Sequence, residues 1–222
     1  MHIRFHVVLA SLIGATALTA QAQTPAAAPP PSPTVAPSSF ASTEVRFSGR
    51  YVYGRWNAGV TAVEGPARVT IRYGQPHARG RQIVGQVVPL DSVWRLGANT
   101  ATELRTDVDL MLGGVRIPHG VYSLWALPSV KGWELIVNRE VGQFGTSPDY
   151  TPSMDLARIP LRVRTTTDPV ESLSIYLIPD AVVRGQPATT PRGTLKIMWG
   201  TVELSLDWSL AEWTKPGSTS AK

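Results

Sequence analysis

The sequence contains no cysteine. That excludes a disulfide framework, a thiol nucleophile and a lipid-attachment cysteine behind a leader segment. There is no apolar run long enough to span a bilayer as a helix; the longest, Val7 to Leu18, is too short. Lys and Arg number 21 against 16 Asp and Glu, for a net charge of +5, yet no block of five like charges occurs. A basic arm for nucleic acid is therefore not expected. G-x-G-x-x-G, a phosphate loop and G-x-S-x-G are all missing, so no dinucleotide, nucleotide or hydrolase-elbow chemistry is signalled and no cofactor is expected. Apolar residues nowhere recur at helical spacing for more than about a turn.

What is present divides the 222 residues into unequal parts. Residues 1–22 read as a secretory signal peptide, with Arg4 at its start, an apolar stretch and Ala20-Gln21-Ala22 as the small-x-small cleavage site. A retained membrane anchor is the alternative. Residues 23–39, almost all Ala, Pro, Ser and Thr, read as a flexible tether. Phe40 to Trp213 is long enough to bury one sizeable core, and residues 214–222 read as a disordered tail. The expected location is periplasmic or secreted, with no membrane span left after cleavage. The modest positive charge suits anionic envelope polymers or serves solubility.

Period two dominates from Ala67 onward. In ARVTIRY, Val69, Ile71 and Tyr73 share one face, while Arg68, Thr70 and Arg72 share the other. Gly74 to Arg81 reads as a loop. VDLMLGGVRIPHG predicts a hairpin turning at Gly113-Gly114, because adjacent glycines accept the positive φ such turns need. VYSLWALP and WELIVN predict two strands joined near Ser129 to Gly132. LARIPLRVRTT and ESLSIYLI predict two more, with Pro160 marking an edge or bulge. LKIMW and VELSLDW flank Gly200-Thr201, which predicts a type II′ hairpin. With 19 Gly and 19 Pro, the chain reads as all-β: a single-domain antiparallel β-sandwich or partly open barrel.

Chemistry is sparse. Outside the leader only His77 and His119 remain, without metal-ligand spacing, so no metal is expected. His77, Asp91 and Ser92 are the one grouping with hydrolytic residue types, but Asp91-Ser92 reads better as turn chemistry. Glu103, Asp107, Asp109, Asp149 and Asp155 could supply paired carboxylates, and nothing in their spacing singles out a catalytic pair. GRYVYGRW, Gly49 to Trp56, interleaves arginines with aromatic faces and could stack on sugars, or be an ordinary edge strand.

Tyr73, Pro76, Gly80-Arg81, Gly85, Val88-Pro89, Val93-Trp94-Arg95 and Gly97-Ala98-Asn99 together form a specific pattern. It continues in GVYSLWALP (Gly120 to Pro128), Trp133 to Asn138, Phe144-Gly145 and Asp155 to Pro160. Over roughly Ala67 to Ile178 the chain resembles the bacterial family of domain of unknown function 2911. The resemblance implies an exported or envelope protein of all-β architecture and brings no activity or ligand with it. Two positions depart from the family's usual pattern: Thr100 stands where a glutamate is common, and Phe144 where a tryptophan is common. The missing carboxylate argues against an acid–base centre there.

Arg81, Arg95 and Asn99 have two readings. In one, the guanidinium groups bond loop carbonyls, Gly97 supplies an unusual backbone angle and Asn99 bonds local backbone. In the other, they converge with Tyr73, Trp94 and Asn138 in a concavity for an anionic or sugar-like ligand. The functional expectation is a binding module for an envelope glycan or anionic small molecule. A structural or protein-interaction domain is the first alternative, and a carboxylate-dependent hydrolase the second.

Overall fold

Alternating side chains need partner strands, and here the partners lie mostly far off in sequence. The computed structural model describes residues 38–47, 67–144, 150–181 and 190–211, together with the backbone of 50–52, 55–57 and 213–214. The signal-peptide, tether and tail expectations, and the side chains of GRYVYGRW, fall outside the described residues, apart from Ser38 and Ser39 at the start of the first strand and the backbone of Thr214, which is strand and not disordered tail.

The strands are β1 (Ser38–Phe47), β2 (Arg50–Val52), β3 (Arg55–Asn57), β4 (Ala67–Pro76), β5 (Thr102–Thr106) and β6 (Leu110–Leu112). They continue with β7 (Val115–Ile117), β8 (Gly120–Ser129), β9 (Gly132–Asn138), β10 (Asp155–Pro179), β11 (Arg192–Leu210) and β12 (Trp213–Thr214). Nine form one antiparallel sheet in the order β1-β4-β5-β8-β9-β10-β11-β6-β7. β2, β3 and β12 form a small separate ribbon. Among the described residues the helical content is a single 3-10 turn, Pro152–Met154.

The large sheet does not close into a barrel. It folds over through β10, whose first part pairs with β9 and whose remainder pairs with β11. The far half of β10 then lies against the opposite end of the sheet. Ile175 N donates to the Tyr73 hydroxyl at 3.1 Å, and Leu177 N donates to Thr43 Oγ1 at 3.2 Å. Val69, Ile71, Leu104 and Leu124 from one half meet Leu195, Ile197, Leu206 and Trp208 from the other in one buried cluster. Each such side chain contributes roughly 1.5–3 kcal/mol on burial, which is what a cysteine-free domain relies on. The expected all-β, sandwich-like class is what the chain adopts.

Two expected hairpins are present. β6 and β7 turn at Gly113 and Gly114, whose φ values are 52° and 86°. β8 and β9 turn at Ser129 to Gly132, where Ser129 Oγ donates to the Gly132 carbonyl. Other expectations need correction. LARIPLRVRTT and ESLSIYLI are one strand, β10, with register shifts between Thr165 and Ser174. Pro160 sits inside that strand opposite Glu134, two residues before pairing passes to β11 at Arg162. Gly200-Thr201 is not a hairpin turn. Residues 192–210 form one continuous strand, with Gly200 opposite Val170 and Val202 opposite Thr165. The switch of the apolar set from odd positions (Leu195, Ile197, Trp199) to even ones (Leu204, Leu206, Trp208) is an in-strand irregularity that keeps all six buried. Gly200 takes φ 57°, and a Cβ there would lie 2.7 Å from Ile83.

Candidate functional site

The register places a polar row across the face of the sheet that points away from the core. Ser42 opposes Arg72, Arg72 opposes Glu103, and Glu103 opposes Ser123. Ser123 opposes Asn138, and Asn138 opposes Asp155. Directly opposed residues of antiparallel strands share a face. Their apolar neighbours Ile71, Leu104 and Leu124 turn inward.

The row is not uniform. At one end Asn138 is fully buried. Its amide donates to the Thr151 carbonyl at 3.0 Å and to Asp155 Oδ1 at 2.9 Å, and its oxygen accepts from Glu140 N at 2.9 Å. Asp155 also accepts from the Tyr150 hydroxyl and from Arg158 Nε. Burial first, then the neighbouring Asp155 carboxylate, pushes the Tyr150 phenol up to about 12. Tyr150 packs on Trp125, ring centroids 5.2 Å apart, over a small second cluster with Ala101 and Ile136.

Asn138 also starts a strap, residues 139–144, that crosses this face. Ser123 Oγ donates to the Glu140 carbonyl at 2.6 Å, and Ala101 N donates to the Gln143 carbonyl at 2.9 Å. Thr100 and Phe144 stand opposite each other as an isolated bridge. Glu140 Oε2 and both amide atoms of Gln143 are buried and have no hydrogen-bond partner among the described residues.

Between the strap and β1 the other end of the row opens into a groove of about 280 Å³. Arg72, Glu103, Ser123 and Thr100 supply its polar lining; Phe40 and Val141, both well exposed, supply apolar lining. Tyr73 and Tyr122 contribute ring surface, because their hydroxyls are taken by Ile175 N and the Pro118 carbonyl. Burial raises both phenols above their ordinary value. Glu103 is the one carboxylate among the described lining residues.

The six residues singled out from sequence are spread over this architecture. Tyr73 lines the groove, and Asn138 lies on the same transverse row. Arg81 donates from Nε to the Ala78 carbonyl and from Nη2 to the His77 carbonyl, holding its own loop. Trp94 stacks on Trp199 at 5.8 Å and donates to the Gly97 carbonyl. Arg95 is half-buried, and burial lowers its pKa. Asn99 takes φ 64° and makes no side-chain hydrogen bond to the described residues, while Leu96, not Gly97, takes the other left-handed angle, 53°. Gly97 is needed for contact: its segment crosses β4 at Gly74, and Ala98 N donates to the Gly74 carbonyl at 3.0 Å.

The remaining candidates divide similarly. His77 Nδ1 meets Ser172 Oγ at 2.7 Å, and Asp91 takes φ 57° in a turn. Asp109 is buried against Arg116 and His119, and Asp107 accepts from Arg68 N. Asp149 lies outside the described residues. Among the described residues no three His, Cys, Asp or Glu side chains converge as for a metal ion. No described helix is long and apolar enough to cross a membrane. In sequence Arg72 looks like any outward charge; only the register, which sets it beside Glu103 and Ser123, marks it.

Fold and site together define an open antiparallel β-domain with a polar groove on one sheet face. A family model for the protein of unknown function DUF2911 matches residues 57–207, and the chain belongs to that family. The match extends past both ends of the Ala67 to Ile178 span that carries the sequence resemblance, and it takes in most of β11. No curated protein and no solved structure matches the chain.

Proposed function

We propose that this chain is an exported binding module whose groove takes a small polar ligand of the cell envelope. One observation carries the reading. A guanidinium and a carboxylate, Arg72 and Glu103, stand beside exposed Phe40 and Val141 in a concavity of about 280 Å³. Small-ligand sites combine apolar walls with a few placed polar groups in this way. The volume is that of a small-molecule site, with room for one sugar or amino acid. A carboxylate-pair hydrolase finds less support, since Glu103 has no second carboxylate beside it among the described lining residues.

The test is a thermal-shift panel of monosaccharides, amino sugars, organic anions and amino acids against the full chain and Val141→Trp, which fills the groove. A ligand at about 100 Kd stabilises by ~2.7 kcal/mol, a rise of about 5–10 °C for a domain of this size. The expected result is a shift that Val141→Trp removes. No shift from any compound, or an equal shift in both proteins, would sink the reading. Export is tested separately: the protein recovered from the periplasmic or extracellular fraction should begin at Gln23.

A further inference from the structure

The deciding comparison is between two cross-strand Arg–Glu pairs of the same sheet. Arg164 directly opposes Glu203, and the pair closes, Nη2 to Oε2, at 2.9 Å. Arg72 directly opposes Glu103 in the same antiparallel relation. There the charges do not meet: among the described residues neither side chain takes part in an ion pair or hydrogen bond. Oppositely charged cross-strand neighbours ordinarily attract one another. Here both instead line the groove, with Ser123 as the next member of the row and apolar surface from Phe40 and Val141 alongside.

We infer that the groove's ligand carries both signs of charge on neighbouring atoms and an apolar substituent: a free α-amino acid with an apolar side chain. Its carboxylate is received by the Arg72 guanidinium in a two-pronged hydrogen-bonded pair. Its ammonium is received by Glu103. Its side chain lies toward Phe40 and Val141. A neutral sugar satisfies neither charge, and a simple anion leaves Glu103 facing added negative charge. The inference deepens the binding-module reading and rests on it.

Calorimetric titration of the full chain with both enantiomers of leucine and phenylalanine, their amides and their N-acetyl derivatives is the direct test. The amide lacks the carboxylate and the N-acetyl form lacks the ammonium. We expect the parent amino acid to bind and each blocked form to lose at least tenfold in affinity. Arg72→Gln should remove the penalty for the amide, and Glu103→Gln the penalty for the N-acetyl form. Both variants change exposed or half-exposed side chains, and an unchanged circular-dichroism spectrum confirms that they fold. An N-acetyl form that binds as tightly as its parent overturns the inference. So does a thermal-shift panel in which a sugar or simple anion binds the groove and no amino acid does; the binding-module reading then survives. If no compound of the thermal-shift panel or the calorimetric series binds, both fail.

Discussion

Gly74 and Ala98 touch through their backbones: a Cβ at Gly74 would lie 1.9 Å from the Ala98 carbonyl oxygen. The crossing fixes the 96–99 segment over β4 just beside the groove wall at Thr100. Flexible side chains cannot yield there, because the obstacle is backbone. Gly74→Ala should therefore destabilise by about 3 kcal/mol or slightly more, at the upper end of overpacking costs. Urea unfolding measures it; a loss under about 0.5 kcal/mol would show that the crossing is loose.

Asn138→Ala should be nearly as costly. The buried amide serves Thr151, Asp155 and Glu140. Its removal strands Glu140 N, while the Thr151 carbonyl keeps Met154 N and Asp155 keeps Tyr150 and Arg158. At roughly 1–3 kcal/mol for the stranded group and about 1 kcal/mol for each of the other two bonds, a loss of about 3 kcal/mol is expected in the same assay.

Arg81→Ala should cost only about 1 kcal/mol, since its two hydrogen bonds close an exposed loop on neutral carbonyls. It should leave the thermal-shift panel unchanged. A variant that keeps its stability and loses binding would move the site from the groove to this loop.

Glu103 and Glu203 should separate function from stability. Glu203 is held by Arg164 at 2.9 Å and Lys196 at 3.3 Å, and those cations depress its pKa against the opposing effect of burial. Glu203→Gln should cost about 1–2 kcal/mol through weakened charged hydrogen bonds. Glu103→Gln should stay within about 0.5 kcal/mol of wild type. Urea midpoints at neutral pH decide, and an equal loss from both would make Glu103 a structural residue.

Tyr150 gives a pH signature. Its phenol is raised in the folded chain to about 12, from an ordinary value of 10.0. A raised folded pKa stabilises fully below the unfolded value, and that stability is lost as pH climbs through the folded one. The Tyr150 contribution is thus complete below about pH 10 and disappears toward pH 12. Ultraviolet titration of phenolate, wild type minus Tyr150→Phe, should show a midpoint near 12; a midpoint near 10 would show that Asp155 and burial do not act on it.

Much of this fold is legible in the sequence, for a local reason. Val69, Ile71 and Tyr73 alternate with polar and charged neighbours, and the β6–β7 and β8–β9 turns lie between adjacent strands. The β10–β11 pairing is not legible in the same way. At Gly200 a positive φ and a change of alternation fit either a reversal or an irregular strand, and only the partner, β10, decides. The site is harder still. Arg72 and Asn138 are 66 positions apart, and they share a row only because three intervening registers align. Tyr73 and Asn138 stand out as an aromatic and an amide in strand sequences; Arg72 and Glu103 look like ordinary solvated charges until they are set side by side.

If ligand binds over the Arg72–Glu103 row, the backbone amides of that row must report it. The most direct measurement is backbone amide shift mapping of the 15N-labelled chain, titrated with whichever panel compound gives the largest thermal shift. Saturable shifts are expected at Arg72, Glu103, Ser123, Val141 and Gly142. Shifts at Arg81, Trp94 and Arg95, or at Arg50 to Asn57, with the groove residues silent, would contradict binding over that row.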